Sequence, residues 1–99
     1  MVHFLLELRP SRPDLPATMT DAERALVGEH FVRLERLAKE GKLLIAGRSE
    51  DAAIGIAVLD VADESEARRI VAEDPALRGG VMAGRLHPFR LALYAPRDG

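Results

Sequence analysis

The chain contains no cysteine, which excludes disulfides, thiol catalysis and thiolate metal sites. That absence fits a reducing, cytoplasmic setting. Tryptophan is also missing, and the only aromatic residues are Phe4, Phe31, Phe89 and Tyr94. So few rings leave no basic surface interleaved with aromatics on which bases stack. Neither sign of charge dominates: 14 Lys and Arg stand against 16 Asp and Glu, a formal net charge of −2. Nucleic acid and anionic membranes are therefore not expected as partners. No apolar run approaches the ~20 residues of a membrane span. "MVHFLLELRP" lacks the basic and long apolar regions of a signal peptide.

What is there is ordinary for a globular protein. Of the 99 residues, 47% are hydrophobic and 30% charged. That length predicts one domain over residues 1–99. Its core has a modest margin, which oligomerisation would improve.

"HFLLEL" (3–8) reads as a strand. "RPSRPDLPATM" (9–19) reads as a loop, because its prolines break regular structure. Residues 20–42 are predicted as a long helix, opened by a capping box of Thr20 and Glu23 and closed by Gly41. Strands at 43–49 and 54–61 flank a turn at 50–53 and form an antiparallel hairpin. A second helix over 63–74 opens on Asp63 and Glu66 and stops at Pro75, which disfavours helical geometry in the residue before it. A glycine-rich connection (75–84) leads to a last strand (85–94). Pro88 confines that strand to an edge, bulge or break. Residues 95–99 read as a tail.

The order β-α-β-β-α-β is that of an α+β, ferredoxin-like fold. Both helices cover one sheet face and leave the other in need of cover. A second copy packed sheet to sheet supplies that cover most simply, so a homodimer is expected.

Two titratable groups fall on apolar helix stripes. Val27, Phe31 and Leu34 read as the inward stripe of the first long helix, and His30 occupies its i+3 position. Ala67, Ile70 and Val71 mark the stripe of the second, and Asp74 occupies its i+7 position. A buried charge without a partner costs several kcal/mol, and an unpaired buried polar group costs about 1–3. With both helices on one sheet face, His30 and Asp74 are expected to satisfy each other. Such a pair is either a structural device or an acid/base unit in which Asp74 fixes the imidazole tautomer and His30 moves the proton.

Arg48 and Ser49 end the second strand and are candidate substrate-binding residues, Arg48 for an anionic group. Ser49 lacks a nucleophile elbow and also suits a turn-capping role. His3, His30 and His87 have no close-spaced ligand pattern, so no metal site is expected. "RGG" (78–80) lacks the residues of a phosphate loop and suits a tight turn instead.

The ordered series His30, Gly41, Gly47, Asp74-Pro75, Gly79 or Gly80, and Pro88-Phe89 resembles the YCII-related family over residues 1–94. In many members a proline follows the glycine matched by Gly47; here Arg48 stands in that place. The resemblance implies a dimeric α+β barrel with a site built on His30 and Asp74. A few members resemble enzymes that eliminate or isomerise on small aromatic-derived or hydroxyquinone-type substrates. The leading expectation for this chain is a small enzyme without a cofactor, acting by elimination, isomerisation or hydrolysis on a small organic substrate. The alternative is a non-catalytic small-molecule-binding or accessory dimer. Monooxygenase chemistry has only fold analogy behind it.

Overall fold

The computed structural model describes residues 1–95, so the expected tail lies almost wholly outside the described residues. Four strands form one antiparallel sheet: β1 (Val2–Pro10), β2 (Leu43–Arg48), β3 (Gly55–Val61) and β4 (Met82–Phe89). The sheet order is β2-β3-β1-β4. Two main helices, α2 (Asp21–Lys39) and α3 (Glu64–Ala72), are joined by two single-turn helices, α1 (Leu15–Thr18) and α4 (Pro75–Arg78). β3 lies between β2 and β1, and β1 lies between β3 and β4.

Alternation along the strands sorts their side chains onto two faces. Phe4, Leu6 and Leu8 of β1 and Ala57, Leu59 and Val61 of β3 are buried, and they pack with Leu37, Ala67 and Ile70 of the helices. The opposite face carries His3, Leu5 and Glu7 beside Ile56, Val58 and Asp60. His87 of β4 and Ile45 of β2 extend the row through Leu5 and Val58. Ile45 is 49% exposed there.

Helix boundaries follow local chemistry. Both arms of the Thr20–Glu23 capping box form, and Gly41 leaves the helix at φ +77°. Asp63 caps α3 by accepting the Glu66 amide at 2.9 Å. The Glu66 side chain reaches the Ala62 amide, also at 2.9 Å, one residue earlier than a reciprocal box requires. α3 ends at Ala72, so Asp74 lies beyond the helix on which its stripe position was counted. β4 starts at Met82 and ends at Phe89, earlier than the expected 85–94, and Pro88 sits in this edge strand.

Two segments expected to be irregular are ordered elements. The Pro-rich stretch continues β1 to Pro10 and then forms α1. Leu15 of α1 packs with Ala76 of α4 and Val81 in a second small core, flanked by Met19, Leu26, Val27 and Met82. Proline breaks helices in their interior but is tolerated in a first turn, where its missing N–H is not needed. Pro16 and Pro75 both sit there. The inward stripe of α2 also differs from the expected one. His30 and Leu37 are buried with Val27 and Leu34 half-buried, whereas Phe31 is 62% exposed. The stripe steps 27, 30, 34, 37, and Phe31 falls outside it.

Arg12 clamps the Pro-rich segment onto the start of α2. Its Nη1 and Nη2 donate to Glu23 Oε2 and Oε1 at 2.8 and 2.9 Å, and its Nε donates to Thr18 Oγ1 at 3.0 Å. The Arg12 hydrogen bonds, aided by the Thr20 amide, hold the Glu23 carboxyl at about 2, below its ordinary 4.5. A lowered folded value means that the unfolded chain takes up the proton first as pH falls. The contribution is therefore complete above about pH 4.5 and disappears toward pH 2. Arg12→Ala is expected to lower the melting temperature at pH 7 and to flatten its fall between pH 5 and pH 2. Calorimetry across that range checks this.

Candidate active site

Asp74 and His30 meet at the junction of α2, α3 and α4. His30 is 6% exposed and Asp74 2%. His30 Nδ1 lies 2.6 Å from Asp74 Oδ2. The other carboxylate oxygen, Oδ1, accepts the amides of Ala76 at 2.9 Å and Leu77 at 3.2 Å. Asp74 is thus the N-cap of α4, with Pro75 at its first position. Asp before Pro here opens a new helix rather than ending an old one, which explains a carboxylate just after the C-terminus of α3.

Burial alone raises the Asp74 carboxyl. The hydrogen bond and charge of His30, with the amides of Leu77 and Ala76, outweigh it and hold the carboxyl below its ordinary value. An ionised carboxylate has no proton to give, so Nδ1–H of His30 is the donor. In the neutral ring that fixes the tautomer and puts the lone pair on Nε2, which has no hydrogen bond to any described residue. This is the arrangement of a base whose imidazole is oriented by an acid.

Arg33, one turn after His30, completes the junction and was missed by the sequence reading. Its Nη1 donates to Ile70 O at 2.7 Å and stands 4.0 Å from Asp74 Oδ2. The spacing of three residues from His30 on one helix was the available clue.

Arg48 and Ser49 are not at this junction. They line a separate depression of ≈ 360 Å³ with Ile45, Ala46, Gly47, Ile54 and Ile56. Ser49 Oγ donates to Asp51 Oδ1 at 2.6 Å and accepts the Ile54 amide at 3.2 Å, so it caps the β2–β3 turn. Arg48 Nη1 donates to the carbonyls of Ser49 and Glu50. A wider depression of ≈ 760 Å³ at the other end of the sheet includes His3 and Phe89. Neither is lined by His30 or Asp74. His3 pairs with Asp60 at 3.5 Å and His87 with Glu7 at 3.0 Å. Among the described residues no three His, Asp or Glu converge as metal ligands, and no helix is long and apolar enough to cross a membrane.

Residues 4–89 match the profile of the YCII-related domain. The chain belongs to the YCII-related family. Among solved structures, this YCII-related chain is similar to a 5-chloro-2-hydroxyhydroquinone dehydrochlorinase from Burkholderia phenoliruptrix, determined as a complex with 2,5-dihydroxybenzoquinone. The likeness covers 88% of this chain and 93% of that one, with a TM-score of 0.57 and 15% identity. It is a likeness of fold. No curated protein sequence matches the chain.

Asp74→Ala removes a cap and leaves the His30 Nδ1–H unpaired. The expected cost is about 2–4 kcal/mol, against about 1 for Asp63→Ala, which removes only a cap. Asp74→Asn keeps a capping oxygen and loses the charge. The folded carboxyl titrates below the unfolded one, so its contribution is complete above the ordinary carboxylate range and is lost as pH falls through the lowered folded value. Urea unfolding at pH 7 and in acid should therefore show the gap between the native protein and Asp74→Asn closing on acidification.

Proposed function

We propose that this protein is a small cofactor-independent enzyme in which His30 and Asp74 are the catalytic acid/base pair. The observation that carries this reading is the 2.6 Å contact from Nδ1 to a carboxylate already fixed by two backbone amides, which leaves Nε2 unbonded. Nε2 takes a proton from a carbon or oxygen acid of the substrate. The resulting imidazolium is stabilised by Asp74 and returns the proton to the leaving group or product. A proton shuttle of this kind contributes roughly 10²–10⁴ in rate. Elimination, isomerisation and hydrolysis all use such a step. The dehydrochlorinase that shares the fold favours a small aromatic-derived substrate, and Arg48 and Ser49 are retained as substrate-binding candidates beside their depression.

The working unit is a homodimer in which two sheets pack through their helix-free faces and close into an α+β barrel of ferredoxin-like subunits. The half-exposed Ile45 and the neighbouring Leu5 and Ile56 support it, because apolar side chains on an open sheet face gain from cover.

One observation favours a second reading, a small-molecule-binding or accessory dimer with a structural pair: neither depression is lined by His30 or Asp74. A single experiment separates the two. Chloride release from 5-chloro-2-hydroxyhydroquinone and binding of 2,5-dihydroxybenzoquinone are measured for the native protein, His30→Ala and His30→Leu. The enzyme reading expects turnover to fall by roughly 10²–10⁴ in both variants. Binding without turnover in the native protein supports the accessory reading; the melting temperature of His30→Leu falls on either reading, because the buried Asp74 carboxylate is left without its partner.

A further inference from the structure

The carboxylate of Asp74 faces two basic side chains, His30 and Arg33, and only Arg33 is permanently charged. Arg33 is placed by the backbone rather than by Asp74. As the chain turns from α3 into α4, the Asp74 amide bonds Val71 O at 3.2 Å. The carbonyl of Ile70, one residue earlier, is taken by Arg33 Nη1 at 2.7 Å. That bond fixes the guanidinium 4.0 Å from Asp74 Oδ2, with its side chain 17% exposed.

We infer that Arg33 is a positioning residue for the His30–Asp74 pair: its fixed charge balances the buried carboxylate, so that His30 stands as a neutral imidazole with Nε2 unprotonated. This deepens the proposed function and rests on it only for the use made of that nitrogen. Without Arg33, the one remaining source of positive charge beside an ionised Asp74 is His30 itself, and the carboxylate would draw a second proton onto the ring. With Arg33 in place, protonating the ring puts a second cation beside one already there. A guanidinium serves this purpose because it does not titrate in the working range. A base that is already protonated accepts nothing, so the balance decides whether the pair is ready to act.

Three charged groups meet at the junction. Arg33 comes from α2, Asp74 from the start of α4, and Glu73 from the end of α3, its Oε2 lying 3.5 Å from Arg33 Nη2. The second small core adjoins this junction through Ala76 of α4, whose amide donates to Asp74 Oδ1 at 2.9 Å. Glu73 is 59% exposed and draws part of the Arg33 charge away from Asp74.

A purely structural Arg33, holding Ile70 O and nothing more, affects stability and leaves the ring titration where it is. Long-range ¹H–¹⁵N NMR of the intact protein reads the tautomer and titration midpoint of His30 without any substrate. Arg33→Gln is expected to raise the proton affinity of His30 by roughly threefold to tenfold. Arg33→Lys, which keeps the charge, should restore most of the native midpoint. Glu73→Gln should lower the affinity, because it frees the Arg33 charge for Asp74. An unchanged midpoint in folded Arg33→Gln overturns the inference. If that variant does not fold, Arg33→Met decides: a raised affinity supports the inference, and an unchanged or lowered one overturns it. Turnover retained by His30→Ala defeats the enzymatic reading and leaves this measurement intact, so the two failures are distinguishable.

Discussion

The carboxylate of Asp74 joins three of the four helical segments, α2, α3 and α4. Buried oxygens must be satisfied, and each of these two is committed to a different element. Oδ1 takes the first amides of α4, and Oδ2 takes the imidazole of α2. Neither job is optional for a carboxylate 2% exposed. The same two sets of donors hold the group ionised against its own burial. The seating of α4 and the orientation of His30 therefore depend on one side chain.

The rest of the helical layer is arranged so that this meeting occurs. The main core buries the faces of β1 and β3 under α2 and α3 and sets how the helices lie on the sheet. The second, smaller core seats α4. Gly80, at φ +72°, lets the chain leave α4 and return to β4, and Val81 anchors it by bonding Ala76 O at 2.9 Å. From the other side, Arg12 draws the Pro-rich segment onto the cap of α2, so that Leu15 reaches Ala76. A segment that looks like a simple connection is thus part of the small core that seats α4.

Some of this was legible residue by residue. His30 on the buried stripe of α2 follows from 3.6-residue periodicity, and its need for a partner follows from the cost of an unpaired buried polar group. The capping box at Thr20 and the stop at Gly41 are local chemistry and form as read. Phe31 was misplaced because a stripe through 27, 31 and 34 and one through 27, 30 and 34 are equally helical; packing against the sheet selects the second. α1 and α4 went unseen because proline marks both the end of one element and the first turn of the next. Arg33 went unseen because its partner is a backbone carbonyl 37 residues away.

Composition and periodicity alone determined the class of the molecule: a cysteine-free α+β chain with two main helices, four strands, and a histidine turned inward on the first of those helices. These follow from short-range rules, in which each residue's preference is set by neighbours within a turn or a pleat. Tertiary structure decided what His30 and Asp74 do to each other. Only the folded chain brings Asp74 to the opening of α4, aligns its second oxygen with Nδ1, and sets a guanidinium beside it. Those distances depend on how three helical segments settle on one sheet, and no local spacing encodes that.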